Sequence, residues 1–244
     1  MPKYKIIVEY DGTNFVGWQQ QENGQSIQSV IQESIFKLSG EKVTIFGAGR
    51  TDAGVHAYGQ VASFTINKKI DTDVIRDGLN QHLRPQPISI QKSELVDNNF
   101  HARFSAKKRW YEYKIINRRS PLTLESNRAW CVHKKINVEK MKSESFSFLG
   151  KHDLNAFRSA HCQSKSSIKT IDSINIENED EQIIFQISAK SFLHSQVRIM
   201  VGTLVDIAKG NIKKSILEII NSENRENAGQ TAPAKGLYLK KIDY

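Results

Sequence analysis

The chain has 244 residues, 39% hydrophobic and 25% charged, the composition of an ordinary soluble protein with room for one large domain or two medium ones. No apolar run reaches the ~18 residues that would span a bilayer, and two cysteines that form no Cys-x-x-Cys pair, Cys131 and Cys162, speak against a disulfide framework. Lysine and arginine number 35 against 26 acids, a formal net charge of +9, and such an excess favours a polyanionic partner.

In chain order, an alternating pattern predicts a strand over Tyr4–Tyr10. Ile27, Val30, Ile31, Ile35 and Leu38 then form one apolar stripe, which predicts a helix over Ser26–Leu38 that Gly40 ends. Strands follow over Val43–Phe46 and Gln60–Ile66, then a helix over Thr72–His82 and a strand over Ile88–Leu95. The order then recurs with a strand over Arg109–Asn117 and a helix over Val138–Phe148, drawn on past Gly150. Strands over Lys169–Glu177 and Gln182–Ala189 are joined by the acidic turn Asn178–Glu181. Helices over Leu193–Lys209 and Lys213–Ile220 and a strand over Gly236–Ile242 complete the second pass. Two βαββαβ passes predict an α+β fold of two ferredoxin-like, RRM-like halves, residues 1–105 and 106–244. Their antiparallel sheets are expected to flank a central active-site cleft. The repeat is one of element order, not of sequence identity.

The most informative stretch is residues 47–61, Gly-Ala-Gly-Arg-Thr-Asp-Ala-Gly-Val-His-Ala-Tyr-Gly-Gln-Val. Its glycines suit a backbone that turns and lies close to a ligand. Arg50 and Asp52 stand in its middle. An acid on a constrained loop between two strands can serve as a nucleophile or base; aspartate in a turn can equally bond only its own backbone. A P-loop is excluded, because Val55-His56 stands where Lys-Ser/Thr is required.

Around mid-chain, Arg103, Lys107, Lys108, Arg109, Arg118 and Arg119 interleave with Phe100, Phe104, Trp110, Tyr111 and Tyr113. Cations beside rings suit unpaired bases, and the same pattern suits a solvated strand with core aromatics behind it. On the Leu193–Lys209 helix, Arg198 lies on the shoulder of an apolar stripe with no acid three or four residues away. Its head either snorkels to solvent or finds a carboxylate elsewhere. Cys131 with His133, and His161 beside Cys162, lack structural-zinc spacing. The opening residues run straight into a strand pattern without a signal-peptide stretch, which points to the cytoplasm.

Gly49-Arg-Thr-Asp-Ala-Gly-Val-His-Ala57 closely resembles the signature of the TruA-type tRNA pseudouridine synthases. So do Tyr4–Gly12 with Phe15-Val-Gly-Trp-Gln-Gln20, and Phe100-His-Ala-Arg-Phe-Ser-Ala106 leading into Arg109-Trp-Tyr-Glu-Tyr113. Phe157-Arg158 with Cys162-Gln-Ser164, Phe192-Leu-His-Ser-Gln-Val-Arg198, and Ala228-Gly-Gln-Thr-Ala-Pro-Ala234 with Gly236-Leu-Tyr-Leu239 match in the same order. The resemblance implies isomerisation of anticodon stem-loop uridines to pseudouridine, at expected tRNA positions 38, 39 and 40, with no cofactor or metal and by a homodimer. It implies that Asp52 is the catalytic aspartate, that Tyr111 stacks on the target base, that Arg198 is the aspartate's basic partner, and that Arg50 helps hold the nucleotide out of its helix. Lys169 stands where many relatives carry arginine, which weakens a bidentate phosphate contact, and Trp110 occupies a variable position.

Two other classes compete. A non-catalytic RNA-binding protein shares the charge and the rings but gives no reason for Asp52 and Arg198. A glycosidase-like enzyme needs a second carboxylate in reach, and the Asp52 loop has none.

Overall fold

The computed structural model describes residues 1–160 and 162–244. The chain divides into two compact units: residues 1–107 with 238–244, and residues 108–237.

In the first unit, β1 (Lys3–Tyr10) turns Tyr4, Ile6, Val8 and Tyr10 inward. It pairs antiparallel with β3 (His56–Thr65) on one side and β4 (Ile88–Val96) on the other. With β1 along one edge of β3, the other edge is shared by β2 (Phe46–Gly47), antiparallel at Ser63 and Ala62, and by β10 (Leu237–Asp243), parallel at His56 and Ala57. Helix α1 (Ile27–Ser39) begins at a Ser26–Ser29 capping box and ends at Gly40, whose φ of 76° suits the left-handed position there. Helix α2 (Thr72–Leu83) is capped by Asp71 and buries Ile75, Leu79 and Leu83.

The second unit is built on an antiparallel run of β5 (Lys108–Asn117), β9 (Gln182–Ala189), β8 (Ile168–Glu179) and β7 (Gly150–Asp153), with β6 (Trp130–Val132) parallel to β5. Helices α3 (Val138–Ser145), α4 (Gln196–Ala208) and α5 (Ile216–Ser222) complete it. All thirteen residues of α4 except Arg198 are buried.

Several boundaries differ from the sequence reading. The strand expected over Val43–Phe46 is not formed at 43–45; the observed two-residue β2, Phe46–Gly47, overlaps it at Phe46 alone. The helix drawn past Gly150 stops at Ser145 and gives way to a 3-10 turn over Phe146–Phe148; Gly150, at φ 94°, then opens β7. Neither β7 nor β6 was expected, since strands of four and three residues carry too little alternation to register. Helix α4 starts three residues later than expected because Ser195 adopts φ 57°, outside the helical region. The expected halves met at 105/106. The observed division falls at 107/108, and residues 238–244, counted with the second half in sequence, belong to the first unit.

Candidate active site

Asp52 is half-buried on the loop between β2 and β3. Val55 N–H donates to the Asp52 carbonyl at 3.2 Å, and Gly54 at φ 76° closes that turn. The loop is held at three points. Near its start, the fully buried Gln60 side chain donates to the Gly49 carbonyl at 2.8 Å and accepts from the Gly49 N–H at 3.4 Å. In the middle, Thr51 shares a buried hydroxyl–hydroxyl hydrogen bond with Tyr10 at 2.8 Å, and its carbonyl accepts from Trp18 N–H at 3.1 Å. At the exit, Gly12 N–H donates to Nδ1 of the buried His56 at 3.1 Å.

Close packing explains two glycines upstream. A Cβ on Gly12 would fall 2.0 Å from the Val55 carbonyl oxygen, and one on Gly17, at φ 111°, 2.6 Å from the Thr51 oxygen. The Tyr10–Trp18 segment is thus a brace against which the loop is pressed, with Asp52 and Arg50 at its centre. Arg50 is exposed. The backbone that carries the carboxylate is thus fixed by packing and hydrogen bonds on both sides of it.

In the second unit, Tyr111 lies on β5 opposite Ile187, is only 8% exposed, and meets Phe192 edge-on at 5.2 Å. Phe192 belongs to the segment that leads into α4. Arg198 is half-buried on the first turns of that helix, and its Nε–H donates to the Ala232 carbonyl at 2.8 Å. The 229–233 strap supplying that carbonyl is itself fixed to α4 and β5. Gly229 N–H donates to Thr203 Oγ1 at 2.9 Å, Gln230 N–H to the Asp206 carboxylate at 3.3 Å, and Tyr113 hydroxyl to the Pro233 carbonyl at 2.7 Å. Burial pushes the Tyr113 phenol far above its ordinary pKa, against a smaller lowering by Arg198, so it remains a donor. Gly202 lets the strap touch the helix: a Cβ there would sit 1.9 Å from the Gln230 oxygen.

Of the residues singled out in sequence, Asp52 and Arg50 therefore share one loop of the first unit, and Tyr111 and Arg198 stand on β5 and α4 of the second. Lys169 turns back on its own loop, donating to the Ser166 carbonyl at 2.9 Å. Arg158 donates to the carbonyls of Cys162 and Ser164 at 2.9 and 3.1 Å. Burial raises the Cys162 thiol, but amide hydrogen bonds from His194 and Ser164 together with Arg158 outweigh it and bring the pKa below its ordinary value. Cys131 and His133 are 3.7 Å apart, and the His133 ring faces the Arg119 carbonyl. His161 lies outside the described residues, among which no cluster of three or more metal-ligating side chains occurs. No helix among them is long and apolar enough to cross a membrane.

Sequence reasoning missed the supporting residues Gln60, Thr51 and Gly12 in one unit and Gly202, Thr203 and Asp206 in the other. The one available signal was a polar residue in an otherwise apolar run: Gln60 before Val61-Ala62, Thr203 and Asp206 among the core residues of α4.

A family model described as tRNA pseudouridine synthase matches residues 6–105 and 145–244. Proteins named tRNA pseudouridine synthase A are similar from end to end. That of Ehrlichia chaffeensis is 51% identical over 99% of this chain and 100% of its own, that of Wolbachia pipientis wMel 52% over the same shares, and that of Parvibaculum lavamentivorans 46% over all of both. A pinned aspartate loop, an aromatic strand and a strapped arginine helix thus occur in a chain that belongs to the tRNA pseudouridine synthase family, isomerases that convert uridine to pseudouridine in tRNA.

Proposed function

We propose that the enzyme acts on uridines of the tRNA anticodon stem-loop, with Asp52 as the catalytic carboxylate and with neither cofactor nor metal in the step. The observation that carries this reading is the three-point fixation of the Asp52 loop, which spends a buried glutamine, a buried tyrosine and two crowded glycines on one half-buried acid.

The reaction breaks the bond between uracil N1 and ribose C1′, turns the base, joins C5 to C1′ and releases the C5 proton, while N1 gains one. An ionised carboxylate starts it, by attack on C1′ or by taking a proton from the sugar. Arg198 is taken as the basic partner in the step, and its Nε bond to Ala232 orients the guanidinium. Tyr111 stacks on the detached uracil, worth roughly 1–3 kcal/mol. A stem uridine must leave its stack at a cost of about a few kcal/mol, and Arg50 helps hold it out. The same reading takes the units as two RRM-like α+β halves, the enzyme as a homodimer, and its place as the cytoplasm.

The test is tritium release from C5-labelled uridine in tRNA transcripts. Wild type releases tritium; Asp52→Asn folds, binds tRNA and releases none. Binding by both with release by neither would return the chain to the RNA-binding class.

A further inference from the structure

One aromatic and basic cluster is not used by the uridine chemistry. In the first unit, Phe46 on β2 meets the His101 ring at a centroid distance of 5.0 Å, and His101 meets Phe104 at 4.5 Å. The Arg103 guanidinium lies over Phe104 at 5.5 Å. Phe46 is 45% and Phe104 75% exposed, so two solvent-exposed phenyl rings flank the His101 ring.

The platform beneath them is firm. His101 N–H donates to Ser105 Oγ at 3.0 Å and Arg103 N–H to His101 Nδ1 at 3.1 Å. Between them the fully buried Ala102 donates to Ser63 Oγ at 3.3 Å and accepts from the Tyr244 hydroxyl at 2.8 Å. Burial, and then the charge of Lys3, hold the His101 pKa below its ordinary value, so at neutral pH the central ring is uncharged.

We infer that the Phe46–His101–Phe104 face is a second RNA contact, on which an unpaired base of the substrate tRNA other than the reacting uridine stacks, with Arg103 and Lys3 supplying positive charge for its phosphates. Exposed rings read any base through its π face, and cations beside them favour a polyanion. The same face of a second copy would instead set Arg103 and Lys3 against their own counterparts. The inference rests on the reading of Asp52 as catalytic. Phe46 and Asp52 are 52 − 46 = 6 residues apart, at most about 20 Å of chain. A stacked strand rises ~3.4 Å per nucleotide, so the face lies within roughly six nucleotides of a uridine at Asp52.

The experiment measures Kd for an end-labelled, unmodified tRNA transcript by anisotropy, KM by tritium release, and sedimentation of the free protein. Phe104→Ala and Phe46→Ala each raise Kd about tenfold, with the loss falling on KM, and Phe104→Trp restores binding where Phe104→Leu does not. Wild-type affinity in Phe104→Ala, or equal rescue by leucine, overturns the inference, because a ring is then not what the RNA meets. So does a dimer of the wild type that Phe104→Ala dissociates, which would make a second copy the occupant. Failure of the Asp52 reading is seen separately, as tritium release that survives Asp52→Asn with the Phe46 and Phe104 rings intact.

Discussion

Arg198 and Ala232 hold each other twice: the arginine Nε–H donates to the Ala232 carbonyl at 2.8 Å, and the Ala232 N–H donates to the Arg198 carbonyl at 3.1 Å. Backbone and side chain of one residue thus grip a single point of the strap, and the guanidinium plane follows from that grip. Lysine has no Nε–H at this position and presents a point charge instead of a fork. Arg198→Lys is expected to lower kcat by about 10- to 100-fold, the worth of one charge-assisted hydrogen bond. Single-turnover rates at saturating tRNA check this; a rate within about threefold of wild type would mean that charge alone suffices.

Gly202→Ala tests the strap from the other side. The added methyl would sit 1.9 Å from the Gln230 oxygen, a backbone atom that cannot step aside alone. Overpacking of this kind costs about 1–3 kcal/mol, read as a fall in the urea midpoint with an unchanged m value. Tritium release should fall as well, since the strap orients Arg198. An alanine variant with wild-type midpoint and rate would contradict the packing described.

Gln60→Leu tests the Asp52 loop. The substitution keeps the volume of a fully buried side chain but strips the Gly49 carbonyl of its donor and the Gly49 and Val61 amides of their acceptor. Leaving buried polar groups unmatched costs about 1–3 kcal/mol each. The expected result is a folded but destabilised protein, measured by thermal denaturation, whose isomerisation slows at saturating tRNA. Loss of tRNA affinity without loss of rate would assign the loop to binding.

His101 makes stability depend on pH. Its folded pKa lies below the ordinary value through burial and the charge of Lys3. As pH falls through about 6.5 the unfolded chain takes up a proton that the folded ring resists, so this contribution to stability is complete above that pH and declines below it. In urea titrations between about pH 7.5 and 5.5, His101→Gln should lose less stability than wild type. An identical slope would show that the ring titrates normally.

Much of the fold was legible where periodicity was long. The α1 stripe, the β5 aromatics and the apolar run of α4 each fell within a few residues of their observed bounds. Local pattern failed where partners are distant in sequence. Gly12 and Gly17 are glycines because of Val55 and Thr51, some forty residues on in this numbering, and nothing beside them announces it. The same holds for Gly202, which answers to Gln230. Asp52 and Arg198 could be singled out from their own surroundings, whereas the residues that fix them could not, because crowding and buried hydrogen bonds are properties of the folded chain.

The segment Tyr238–Tyr244, most of it β10, has a consequence for how this enzyme is made. It is translated after the whole of the second unit, yet it supplies the parallel partner of His56 and Ala57 and the hydroxyl that anchors Ala102. Until it emerges from the ribosome, the strand that follows the Asp52 loop keeps an open edge. A first unit without this segment should therefore be incomplete and prone to pair with other chains along that edge.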